Sequence, residues 1–201
     1  MIILMDLMLD IETLGLRPMS VITQVAAVPF ELNDTNLSFG MNFNINLKSC
    51  LDNGGIIDAS TLLWTAENNL KSIKNSGNEY YIYDALNKLD EFFHEVRPVN
   101  VWAKSPQFDC VILESWYNHY NLPIPWKYNQ LMDVRTINYV GKELFGLGEE
   151  MEVIHNRYKD KLHDPIQDCF FQIEVLRNII NYPVPKQIVV DENEGRQIVE
   201  S

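Results

Sequence analysis

Asp10 and Glu12 stand one residue apart at the end of an apolar run, in LMLDIETLGL at residues 7–16. Asp109 follows Phe108 and lies in line with Ile112, Leu113 and Trp116, which have the spacing of a core-facing helical stripe. His163 and Asp168 fall five apart in LHDPIQDCF, residues 162–170. A buried carboxylate is costly unless a partner compensates its desolvation. None of these four acids has an Arg or Lys beside it in the chain. If the fold brings them together, one or two hard divalent cations would satisfy all of them, because Mg²⁺ and Mn²⁺ favour carboxylate oxygens.

The elements that must position these groups can be read from periodicity. Residues 2–9 form a buried strand that ends at the acidic pair, and SVITQVAAVPF at 20–30 is rich in β-branched and small apolar types, a second strand. NDTN at 33–36 is turn chemistry. LSFGMNFNINL then alternates, with Phe39, Met41, Phe43, Ile45 and Leu47 on one face, which predicts a half-buried third strand antiparallel to the second. Residues 48–60 read as a loop, 61–73 and 79–96 as helices, and 99–103 as a short strand. Ser105–Pro106 open a helix with Pro in its first position. Further helices run over 133–144 and 165–180, with Asp164 as N-cap of the last and Gln167 completing a capping box. That places His163 on a loop just outside the helix and Asp168 on its first turn. The order of elements predicts an α/β protein with a mixed sheet flanked by helices, its site at strand ends.

The totals set limits. The chain has 201 residues, enough for one domain with a sizeable core. A net charge of −12 argues against extended duplex binding through many phosphates. Bound divalent cations can reverse the local field, so a metal-bridged active site stays open. No apolar stretch approaches the roughly 18 residues of a membrane span, and no basic residue leads the apolar N-terminus, so neither a membrane nor a secretory signal is expected. Cys50, Cys110 and Cys169 lack metal-type spacing and read as reduced thiols of a cytoplasmic protein.

D-x-E at Asp10 and Glu12, F-D at Asp109 and H-x4-D at His163 and Asp168, in that order and on these elements, resemble the DEDDh 3′–5′ exonucleases of the ribonuclease-H-like superfamily. VITQVAAV is similar to that family's second strand, and ILESWYNHYNLPIPW followed by DVRT to a group of bacterial and bacteriophage exonucleases. The resemblance spans roughly residues 5–180. It departs at AKSPQ before Phe108–Asp109, where many relatives carry Asn or Gly, and residues 141–162 match no known pattern.

The resemblance implies an exonuclease domain over residues 1–182; outside it, PVPKQIVVDENEGRQIVES at 183–201, with two prolines and many charges, is expected to be a mobile tail. It implies two Mg²⁺ or Mn²⁺ ions on Asp10, Glu12, Asp109 and Asp168, with Asp10 bridging. His163 would be the general base; an imidazole, titrating ordinarily near about 6.5, suits that role. The substrate would be the 3′ end of single-stranded RNA or DNA, and the product nucleoside 5′-monophosphates. A homodimer is an arrangement some relatives adopt. Thr13, Leu14, Trp64 and Phe108 are the candidate substrate contacts, although core packing is the preferred reading for Trp64 and Phe108. The competing readings are a non-catalytic binding or docking module on the same fold, and a haloacid-dehalogenase-like phosphatase. The second wants an Asp where Glu12 stands and leaves His163 and Asp168 without a task.

Overall fold

Strand β1 (Asp6–Thr13) decides which side chains can meet. Successive residues of a strand point to opposite faces. Leu7, Leu9 and Ile11 enter one apolar cluster and Met8 enters another on the far side of the sheet. Asp10 and Glu12 continue the Met8 row, so one-residue spacing puts both carboxylates on the same face. The computed structural model describes residues 5–34, 39–73, 79–183, 188–191 and 195–198, the last two segments as backbone only.

β1 pairs antiparallel with β2 (Ile22–Phe30), which pairs antiparallel with β3 (Met41–Ile45). β4 (Glu79–Tyr80), β5 (Val101–Ala103) and β6 (Leu131–Asp133) add parallel pairings, giving the order β4-β3-β2-β1-β5-β6. This is the mixed α/β sheet expected from the sequence. Helices α4 (Ile82–Val96) and α5 (Asp109–His119) supply Ile82, Leu86, Leu89, Ile112, Leu113 and Trp116 to the Leu7 face. Helix α8 (Pro165–Ile180) covers the Met8 face with Cys169, Ile173 and Leu176. Because β1 and β5 are parallel, Asp10, Glu12 and the chain leaving β5 toward Asp109 emerge at one edge of the sheet.

Several expectations need correction. β3 is shorter than the alternating run: Phe39 is fully exposed outside it, and Leu47 starts helix α1 (Leu47–Asp52). Asn46 turns the chain there, its Oδ1 accepting from Ser49 N at 2.9 Å, so the 48–60 loop is partly helical. The helix expected at 61–73 is two, α2 (Ala59–Asn68) and α3 (Leu70–Ile73), broken at Asn69. Residues 79–80 are strand rather than helix. Pro106 lies in a turn, not in the first helical position. Ser105 O accepts from both Phe108 N and Asp109 N, so the chain winds tightly before α5 begins at Asp109. Gly148–Tyr158, within a stretch without a recognisable pattern, forms α7 beside α8, and α6 spans Val134–Glu143. Asp164 does cap α8, but through Ile166 N at 3.2 Å rather than by the full capping box.

Within the segment read as a mobile tail, β7 (Ile188–Asp191) and β8 (Gly195–Ile198) pair antiparallel with each other. Residues 2–4 of the first expected strand, 35–38 of the hairpin region and the rest of the tail lie outside the described residues. Among the described residues no helix is long and apolar enough to cross a membrane, and all three cysteines are free and buried.

Candidate active site

α8 runs across the Met8 face of the sheet and brings its first two turns to the acidic end of β1. Asp168 sits in the first turn. Gln172, one turn later, donates from Nε2 to Asp10 Oδ1 at 2.9 Å. From the other side α5 sets Asp109 in its own first turn, 3% exposed, and its Oδ1 accepts from the Ile11 backbone N–H at 3.1 Å. Ile11 lies between Asp10 and Glu12, so this bond fixes Asp109 against the D-x-E segment. Ligand atoms of Glu12, His163 and Asp168 all lie within 4.8 Å of one another. Asp10 and Asp109 fall outside that trio but interact electrostatically with it.

His163 occupies the residue before the α8 N-cap, with φ +65°. Its N–H donates to Asp168 Oδ2 at 2.9 Å, and its C=O accepts from Asn69 Nδ2 at 2.7 Å. The ring meets Trp64 edge-on, centroids 4.9 Å apart.

The four acids are in the electrostatic state of a cation site. Desolvation, then Asp109, Asp168 and Glu12, raises Asp10 well above the usual carboxylate range, against the Gln172 hydrogen bond. Burial and Asp168 push Glu12 up to about 8. Burial pushes Asp109 up to about 7 despite the Ile11 N–H and the charge of Arg135. Asp168 is raised by burial, opposed by the His163 N–H, the His163 charge and Lys104. Gln172 Oε1 is buried with no hydrogen-bond partner among the described residues. Crowded carboxylates that resist ionisation, with an orphan acceptor beside them, fit a divalent cation.

This carries a pH dependence. Each carboxyl binds its proton more tightly folded than unfolded, so the metal-free fold holds more protons between the ordinary value, 4.5 for Glu12, and about 8. The stabilisation from these groups is complete below the unfolded values and is lost as pH rises through the folded ones. Melting of EDTA-treated protein is therefore expected to fall from about pH 5 to about pH 8. Mg²⁺ or Mn²⁺ should restore it, most strongly at the alkaline end. A flat metal-free profile would contradict the crowding.

Two clefts flank the acids. One, about 350 Å³, is lined by Glu12, Thr13, Leu16, Thr61, Trp64 and Phe108 among others. Trp64 is 43% exposed, so its core reading fails, while Phe108 is partly buried against the core and also faces the cleft. Leu14 is corrected: it is 2% exposed inside the core and absent from the cleft wall, and Leu16 stands there in its place. The register shift at Glu12/Thr13 and the bond from Leu14 N to Val21 O turn Leu14 inward. The second cleft, about 270 Å³, joins Asp10, His163, Asp168 and Gln172 to Lys104 and His155. Lys104 Nζ lies 5.6 Å from the centre of the Phe171 ring, and His155 meets the same ring.

Sequence reasoning missed Gln172, Asn69, Lys104 and His155 as parts of the site. Gln172 had a signal, a polar residue on the packed face of α8 one turn after Asp168. The others depend on α2, α7 and the loop after β5 folding over the sheet edge.

No curated protein matches the chain. Solved structures share the fold. Cell-death related nuclease 4 (CRN-4) aligns with TM-score 0.61 and 15% identity over 88% of this chain and 64% of that one. The nuclease domain of 3′hExo, a DEDDh family member bound to rAMP, aligns with TM-score 0.57 and 7% identity over 88% and 91%. Escherichia coli exonuclease I in complex with a dT13 oligonucleotide gives TM-score 0.64 and 13% identity over 89% and 41%. The chain thus spans about two thirds of CRN-4 and under half of exonuclease I. At these identities the likeness establishes the ribonuclease-H-like fold, which removes the dehalogenase-like alternative. Residues 5–180 match the family described as the 3′–5′ exoribonuclease Rv2179c-like domain, nearly the whole described chain including all five motif residues, and the protein belongs to that family.

Proposed function

We propose that this protein removes nucleotides from the 3′ end of single-stranded RNA or DNA, releasing nucleoside 5′-monophosphates, with two Mg²⁺ or Mn²⁺ ions as cofactors. The observation that carries the reading is the approach of Glu12, Asp168 and His163 to within 4.8 Å of one another beside two further raised carboxylates. Asp10, Glu12, Asp109 and Asp168 would hold the ions. When bound, such ions stabilise the attacking and leaving oxygens of an in-line displacement at phosphorus.

The protein's own groups do the rest. His163 takes the proton of the attacking water on its imidazole, from a position fixed by main-chain bonds to Asp168 and Asn69. Gln172 orients Asp10. The terminal nucleoside occupies the cleft of Thr13, Trp64 and Phe108, where the exposed Trp64 ring offers a face for the base. An exonuclease of this kind grips a few nucleotides, so a net charge of −12 is no obstacle.

Incubation with Mg²⁺ and end-labelled single-stranded RNA and DNA in parallel tests the reading. A ladder shortening from the 3′ end is expected, and EDTA should abolish it. A ladder from the 5′ end, or none with either polymer, would overturn it, the latter in favour of a non-catalytic docking module. Light scattering of the purified chain decides between a monomer and the homodimer.

Trp64→Ala is expected to raise KM for an oligonucleotide about tenfold, since stacking on an aromatic face contributes about 1–3 kcal/mol per base. Trp64→Phe should recover most of it. Unchanged steady-state KM in Trp64→Ala would remove the base from this cleft.

A further inference from the structure

Beyond the break between α2 and α3, Ile73 packs against the core, and the break itself places one side chain at the site. Asn69 sits in that break with φ −139° and ψ 52°, and its backbone is fixed on both sides. Its N–H donates to Thr65 O at 2.8 Å, and its C=O accepts from both Ser72 N and Ser72 Oγ at 3.0 Å. The side chain is 8% exposed. It donates from Nδ2 to His163 O, 94 residues away, at 2.7 Å, and the same amide favours the charged form of the Glu12 carboxyl. A main-chain carbonyl and a carboxylate are both acceptors, so the amide faces them with its nitrogen. Flipping the amide would turn its oxygen toward two acceptors, so the network fixes its orientation.

His163 needs such support. A φ of +65° is unfavourable for a residue with a Cβ and persists only where the surroundings hold it. The surroundings here are Asp168 on its N–H and Asn69 on its C=O. We propose that Asn69 is a positioning residue for the reaction, its amide holding the His163 backbone in register with Glu12. The base is then located by the α2–α3 break as well as by its own loop. This rests on the exonuclease reading, in which His163 accepts the proton and Glu12 holds metal.

Asn69→Leu, close in shape but without donors, tests the role at saturating Mn²⁺. Turnover should fall about 10- to 100-fold, the range for lost support of a catalytic constellation, with KM for the oligonucleotide within about threefold. Asn69→Gln, which keeps the amide, should recover part of the turnover. Unchanged turnover in Asn69→Leu overturns the proposal. So does a loss fully restored by raising Mn²⁺, which would confine Asn69 to Glu12. A readout independent of activity and of variant folding is the Asn69 side-chain NH₂ in wild-type NMR spectra. The proton donated to His163 O should be protected from solvent exchange in the metal-free protein, and exchange of both protons at the free-amide rate overturns the clamp. A wild type inactive on every 3′ end would sink the exonuclease reading instead, and the NMR result would still stand on its own.

Discussion

Asp10→Asn is expected to abolish metal-dependent nucleotide release while making the metal-free protein more stable at alkaline pH. The two effects share one cause. Asp10 is the most crowded of the acids, raised by burial and by Asp109, Asp168 and Glu12 together. Asn is nearly isosteric, and its side-chain oxygen can still accept the Gln172 hydrogen bond that Asp10 Oδ1 now receives. What disappears is one negative charge. Without metal that charge, once ionised, repels its neighbours, so its loss raises the melting temperature at alkaline pH, where the crowded acids are forced to ionise. Under the proposed function the same charge would be a metal ligand. Turnover should fall by more than about 100-fold, since even groups that merely support metal ligands are worth about 10–100-fold. Melting curves with EDTA and with Mn²⁺ should therefore move in opposite directions relative to wild type. Product formation equal to that of wild type would defeat the metal-nuclease reading.

His163→Asn separates the base from the ligands. Asn tolerates the left-handed region far better than most residues, so the backbone at φ +65° survives. The bonds from His163 N–H to Asp168 and from Asn69 to His163 O are main-chain bonds, which the substitution leaves in place. Only the imidazole is lost. Turnover is expected to drop about 10²- to 10⁴-fold, the range for a general base. Calorimetric Mn²⁺ binding should stay close to wild type, because hard cations favour the carboxylate oxygens that remain. The imidazole does lie within 4.8 Å of the Glu12 and Asp168 oxygens, so binding lost along with turnover would reassign His163 as a ligand. His163→Ala, which adds backbone strain, should melt lower than His163→Asn while matching its loss of turnover.

Family membership and the shared fold set these expectations in context without fixing the substrate. The cleft holding Trp64 and the cleft holding Lys104 lie on either side of the acids. The first presents Trp64 and Phe108, and the second presents the Lys104 cation on an acidic protein.

The sequence by itself determined the acids and the faces they occupy. D-x-E spacing fixes Asp10 and Glu12 on one side of β1 because strand residues alternate. Pro165 after Asp164 fixes the start of α8, which puts His163 outside the helix and Asp168 inside its first turn. These are local consequences of dihedral geometry, and the structure bears them out. Only the tertiary structure decided that Asp109 would be tied to Ile11, that Gln172 would reach Asp10, and that Asn69 would hold the His163 carbonyl near Glu12. Those contacts join residues about 60 to 160 positions apart, and no local pattern specifies a partner at that distance. The same limit explains Leu14 and Trp64. An apolar side chain at the end of a strand or on a helix gives the same pattern whether it faces core or cleft. A register shift in β1 and the placement of α2 over the sheet edge made that choice.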